Sequence, residues 1–365
     1  MINEQPPVIR MSEPGEITQV VPHLLGFQPE ESLVILVLDQ GRIQVTARVD
    51  IDVAQPPGEA EQLLDRIWAR FPKADALVIA YTNQPKAGLD LIIRCETHLA
   101  PFAETAAMLI NGDTWHTPDG QTGPVEHHGL ISDQLEGLGL PVRASRAELD
   151  TLFATATITP DLLAQVEPAL ATLPARADTL ALVARAALLI DQNLPDATQP
   201  GRPVPLADAL QLAVLSDHPA VRDLALLSMT NDNADQHLQL WRGVVNNSPR
   251  VIAENPLYLA GMAAWITGDG ATAVVALEHS QACSAPGRQN SGLLDALIDD
   301  VVPPSAWPGL REQILGHADP HTRQAIQARE PVPQHRWETV DRPTVRRPAN
   351  PTVRGRKPPA PGIAI

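Results

Sequence analysis

Six residues in two short stretches carry side chains suited to moving protons: His23, Glu30 and Glu31 within PHLLGFQPEES, and Asp113, Trp115 and His116 just past an Asn-Gly turn. If the two loops met, a carboxylate would orient an imidazole and tune its pKa for proton transfer. That is the equipment of a hydrolase or transferase. The plainer reading of the same residues is structural: His23 half-buried and bonded to a backbone carbonyl, Glu30 and Glu31 closing the turn before a strand.

Other chemistry finds less footing. His116, His127 and His128, with Asp113 and Asp119, are zinc-ligand types, but no HxxxH or CxxC spacing fixes them. Asp50 and Asp52 are the right type for magnesium, yet a pair ending a strand is ordinarily solvent-facing. No metal site is therefore assigned. There is no GxSxG elbow, and Cys95 sits in an apolar helical pattern that buries it. Trp241 and Trp265, at helical spacing among apolar residues, read as core. No glycine-rich phosphate loop appears, and no cofactor is expected.

The elements that must position these residues begin with a helix starting near residues 12 to 16. Ile17, Val20, Val21, Leu24 and Leu25 give it one apolar face, Pro22 kinks or tightens it, and Gly26 closes it in a left-handed conformation. Leu33 to Leu38 is a continuous apolar run, the pattern of a strand covered on both faces. Ile43 to Val49 alternates with period two and completes a hairpin. Leu63, Leu64, Ile67, Trp68 and Phe71 mark a helix over 59–71. Residues 76–81 form a second buried strand, 88–102 a helix, and Asn111-Gly112-Asp113 a hairpin turn between two further strands. This order predicts an α/β domain with a mixed sheet over 12–140.

From Ser145 no strand pattern recurs. Ser145 and Glu148 have the spacing of a capping box. Helices are expected from Pro160 and near 175–192, 205–216, 219–230, 235–246, 255–267, 270–282, 289–300, 305–315 and 319–329. The region 145–330 thus reads as an all-α domain, either tetratricopeptide-like or an irregular bundle. The small residues Ala260, Gly261, Ala264 and Ala273, with Gly268-Asp269-Gly270 as the turn, make 255–286 the stretch most like one tetratricopeptide pair.

PHLLGFQPEESLVILVL resembles the opening signature of domain-of-unknown-function family 4192, an uncharacterised family of high-GC Gram-positive bacteria. SRAEL at 145–149, LW at 240–241 and PLYLAGMAAWITGDGATAVVAL at 256–277 extend the resemblance over roughly residues 12 to 310. The resemblance implies no established chemistry. It would place cysteines after Gly112 to His116, where this chain has HTPDGQTGP and none.

Charge is uneven. Residues 334–365 hold seven Lys/Arg and two Asp/Glu, about +5; the remainder has 27 − 7 = 20 cations against 43 − 2 = 41 anions, about −21. An acidic body argues against nucleic-acid binding anywhere but the tail. Residues 1–11 and the Pro-rich 331–365 read as disordered, and the tail repeats Pro343-Thr344-Val345-Arg346 as Pro351-Thr352-Val353-Arg354. Arg346 and Arg354 are its docking candidates. No apolar run reaches the length of a membrane span, the first residues lack the order of a signal peptide, and two distant cysteines fit reduced thiols, so a cytoplasmic location is expected. The function expected is a non-catalytic binding or adaptor protein with a helical protein-interaction surface; oligomeric state is not read from the sequence. The alternatives are an enzyme site at the helix-strand junction and nucleic-acid contact through the tail.

Overall fold

The computed structural model describes residues 13–138, 140–195, 201–284 and 291–329, with the backbone of two-residue strands at 10–11 and 363–364. The first part runs β1 (Arg10–Met11), α1 (Pro14–Leu25), β2 (Ser32–Asp39), β3 (Arg42–Asp50), α2 (Ile51–Ala54), α3 (Glu59–Arg70), β4 (Asp75–Tyr81), α4 (Pro85–Leu99), β5 (Thr105–Asn111), β6 (Thr114–His116), β7 (Thr122–Pro124) and α5 (Leu130–Gly137). Helices follow: α6 (Arg146–Thr151), α7 (Pro160–Leu170), α8 (Thr179–Asn193), α9 (Leu206–Leu215), α10 (Pro219–Leu227), α11 (Ala234–Asn247), α12 (Glu254–Thr267), α13 (Gly270–Cys283), α14 (Gly292–Asp299), α15 (Trp307–His317) and α16 (Pro320–Arg329), then β8 (Ile363–Ala364). None of the described helices is long and apolar enough to cross a membrane.

Six strands form the body of a mixed sheet in the order β3-β2-β4-β5-β6-β7, with the short β1 and β8 beyond β3. β4 and β5 are parallel, joined across one face by α4, and the other pairs of the six are antiparallel. β2 is central because it has no polar side chain between its ends. Leu33, Ile35 and Val37 pack with Leu64, Ile67, Trp68, Leu91 and Ile92 on the face covered by α3 and α4. Val34, Leu36 and Leu38 point the other way, into a cluster with Val21 and Leu25 of α1 that runs on through Leu149 and Phe153 into the helical region. Burying side chains of this size contributes about 1.5–3 kcal/mol each, so a run buried on both faces anchors both layers.

Local signals explain the ends of α1. Pro14 begins it where a missing amide costs nothing, and the Glu16 carboxylate accepts from the Glu13 amide at 3.1 Å. The helix continues through Pro22 and closes at Gly26, φ +73°. In the second half, α12 and α13 pack as an antiparallel pair around Gly261, where an added Cβ would lie 2.6 Å from Leu294 Cδ2 and 3.2 Å from Ala276 Cβ.

Three local expectations are corrected. The stretch between His116 and His128, which reads from sequence as a loop, holds β7, which pairs with β6 and places Gly123 against the Trp115 indole. α4 begins at Pro85, three residues before the apolar pattern, because proline suits a first helical position. Ser145 makes no side-chain cap, and Glu148 accepts instead from the Ala144 amide at 3.2 Å. The stretches expected to be disordered lie almost wholly outside the described residues.

Candidate functional site

The register puts the start of β2 and the ends of β3, β4 and β5 in one row: Ser32 is opposite Asp50 and Tyr81, and Tyr81 is opposite Ile110. At this edge Glu31 takes φ +38°, unusual for a residue with a side chain. Its carbonyl accepts from the Ile51 amide at 2.9 Å. Its carboxylate accepts from the Thr82 hydroxyl at 2.8 Å and the Asn83 amide at 2.9 Å. The Thr82 carbonyl in turn accepts from Asn111 Nδ2 at 3.1 Å. Glu31 and Asn111, at the end of β5, are thus linked through Thr82, and of the six candidates only Glu31 takes part.

The other five go elsewhere. His23 is buried with Nδ1 2.6 Å from the Leu140 carbonyl and Nε2 2.9 Å from the Ser132 hydroxyl. A carbonyl only accepts, so Nδ1 donates to Leu140, while Nε2 shares its hydrogen bond with the Ser132 hydroxyl. Thr18 and Gln19 on the same helix bond to Glu126, so the polar residues of α1 fasten it to the 126–140 segment. Glu30 is exposed, its carbonyl accepting from Ser32. Asp113 is exposed, 3.5 Å from His127. Trp115 packs against the core, and His116 pairs with Thr122 in the sheet. Asp119 accepts from Thr117 and Gln121 in its own turn. Among the described residues no group of three or more His, Cys, Asp and Glu side chains is placed to hold a metal ion. Burial pushes the Cys95 thiol up to about 12, with Glu61 adding to the rise, which removes it as a nucleophile.

A cleft of about 610 Å³ lies between β3 and the helices α12 to α14. One wall is β3 from Ile43 to Asp50, flanked by Val53 and Leu63; the other includes Trp265, Ala271, Val274 and Leu297. Leu24, Leu25 and Phe27, at the end of α1, close its inner side. The walls are held by fixed contacts. Phe27 forms a parallel bridge with Arg143, with Gln28 N bonded to Arg143 O at 2.9 Å. Arg48 lies 6.0 Å over the Phe27 ring, donates to Ser32 at 2.9 Å and pairs with Asp50 at 2.5 Å. Opposite, Arg146 of α6 pairs with Glu278 of α13 at 2.6 Å.

Over residues 14–305 the sequence matches the family described as Domain of unknown function (DUF4192). The chain belongs to that family. No curated protein and no solved structure matches it. In this DUF4192 fold the separate stretches that carry the family resemblance come together at the cleft: PHLLGFQPEES supplies Leu24, Leu25 and Phe27, SRAEL supplies Arg146, and PLYLAGMAAWITGDGATAVVAL supplies Trp265, Ala271 and Val274. Sequence reasoning missed this site. Its signals were a strand with apolar residues on only one face, Val45, Ala47 and Val49, and the coincidence of those stretches, but nothing in one dimension opposes β3 to α13. Arg346 and Arg354 lie outside the described residues.

Proposed function

We propose that this DUF4192 chain is a binding protein without catalytic activity of its own, and that its ligand is an extended polypeptide segment seated between β3 and the helices α12 to α14. One observation carries the reading: the cleft has an open sheet edge as one wall. Among the described residues β3 has an outer strand partner only at Arg42, leaving Ile43 to Asp50, roughly 25 Å of strand, unpaired. An added strand would complete that ladder with main-chain hydrogen bonds while the apolar walls take alternate side chains. A volume of about 610 Å³ falls in the range of small-ligand pockets, about 300–1,000 Å³, and suits a short peptide equally. The helical region contributes the second wall, and on this reading that wall is its protein-interaction surface.

The test is selection of peptides from a random displayed library against the full chain. Extended aliphatic peptides should be enriched, and their binding should weaken at least tenfold with Val274→Arg, which fills the cleft, and with Thr46→Pro, which removes a donor from β3. Failure to enrich any peptide, or enrichment of peptides indifferent to both substitutions, would remove the reading.

A further inference from the structure

We propose that the segment which occupies the cleft is the chain's own Pro-Thr-Val-Arg repeat, Pro343–Arg346 and above all Pro351–Arg354, so that the protein covers its binding edge until a competitor displaces the tail. This rests on the strand-addition reading of the cleft and names its occupant.

Reach is the first argument. Residues 330–350 separate the end of α16 from the second copy, and 21 residues extend about 70 Å. A compact body of this chain length is about 50 Å across. The second copy therefore reaches the cleft from all but a diametrically opposite start, since the path over half such a surface is about 79 Å. The first, after 13 residues and about 43 Å, reaches it less freely.

Residue chemistry is the second. Thr and Val are β-branched and suit a pleated strand. Proline, which has no amide to donate, is tolerated at the start of a strand laid on a sheet edge. The arginine that ends each copy meets a wall with carboxylates to spare. Of the acidic residues lining the cleft, Asp50 is paired with Arg48 and Glu278 with Arg146, whereas Glu59 and Asp299 have no cationic partner among the described residues, against a single lining cation outside those pairs, Arg66. The tail at about +5 and the rest of the chain at about −21 attract each other at longer range.

Hydrogen exchange on the full-length protein tests the assignment. Amides of residues 43–50 are compared in the native chain and in the double variant Thr344→Pro/Thr352→Pro, which strips both copies of a strand donor. Thermal unfolding of both proteins confirms that the body is unchanged. The expected result is at least tenfold slower exchange along β3 in the native chain, lost in the variant and restored by a synthetic peptide of residues 341–356. Arg346→Glu/Arg354→Glu should lose protection in the same direction. Equal exchange in native and variant chains overturns the tail as occupant. If a library-selected peptide then still protects β3 in both, the cleft reading survives; if no peptide protects it, both fall. Protection that rises with protein concentration would transfer the occupant to a second copy's tail and overturn the intramolecular form.

Discussion

The polar edge of the sheet and the apolar cleft share the strand β3, and the fold completes them in opposite ways. At the edge, Glu31, Thr82, Asn83 and Asn111 satisfy one another, and His23 is matched by Leu140 and Ser132. In the cleft, a strand edge and two carboxylates are without protein partners among the described residues. Two of the residues that look most like chemistry, His23 and Glu31, are thus already engaged. A polar group serves a ligand only if its hydrogen bonds are not closed internally, and that favours the cleft.

Four measurements break or sharpen this contrast, beginning with the largest. His237 is buried on α11, and burial pushes its pKa down to about 4 from the ordinary 6.5. The unfolded chain takes up this proton near pH 6.5 and the folded chain only near pH 4. Stability is therefore full above pH 6.5 and drains as pH falls through that window, by about 3 kcal/mol in all. Denaturant unfolding from pH 7 to 4 should show the loss, and His237→Gln should flatten it. An unchanged slope in that variant would mean that burial of the His237 ring does not set the acid sensitivity of the body.

Glu31→Ala comes next, at about 2 kcal/mol, because two bonds to a carboxylate disappear while the strained backbone remains. Peptide binding should be unaffected, and loss of binding without loss of stability would return the polar edge to candidacy. Val274→Arg should do the reverse: binding weakens tenfold or more, equivalent to about 1.4 kcal/mol, while the melting temperature stays within a degree or two. The smallest effect is expected from Thr82→Val, about 1 kcal/mol by denaturant titration, since the hydroxyl's bond to Glu31 and the one it accepts from the Gln84 amide are lost while the shape is kept.

Much of the fold was legible because its signals are local. The run Leu33 to Leu38 announced a strand buried on both faces, Gly26 announced the end of α1, and the turn after Asn111 announced β5 and β6. α8 to α13 lie within a few residues of their expected positions because their apolar spacing is regular. β7 was missed because Thr122-Gly123-Pro124 has no strand pattern of its own and exists only as a partner to β6. Of the candidate residues only Glu31 joins the network at this edge, and it does so through Thr82, which no motif singles out. The choice of Leu140 and Ser132 as partners for His23 depends on where α5 docks.

By itself the sequence determined the kinds of elements, their order, the membership of DUF4192 and the opposition of an acidic body to a basic tail. Hydrophobic period, turn chemistry and charge act over a few residues or by simple addition, so they need no folded context. Only the tertiary structure decided that the sheet's second face shares a core with the helices, that His23 is closed off, and that β3 faces α13 across a cleft. Those outcomes depend on which surfaces meet across more than a hundred residues, and packing, which has no period along the chain, selects them.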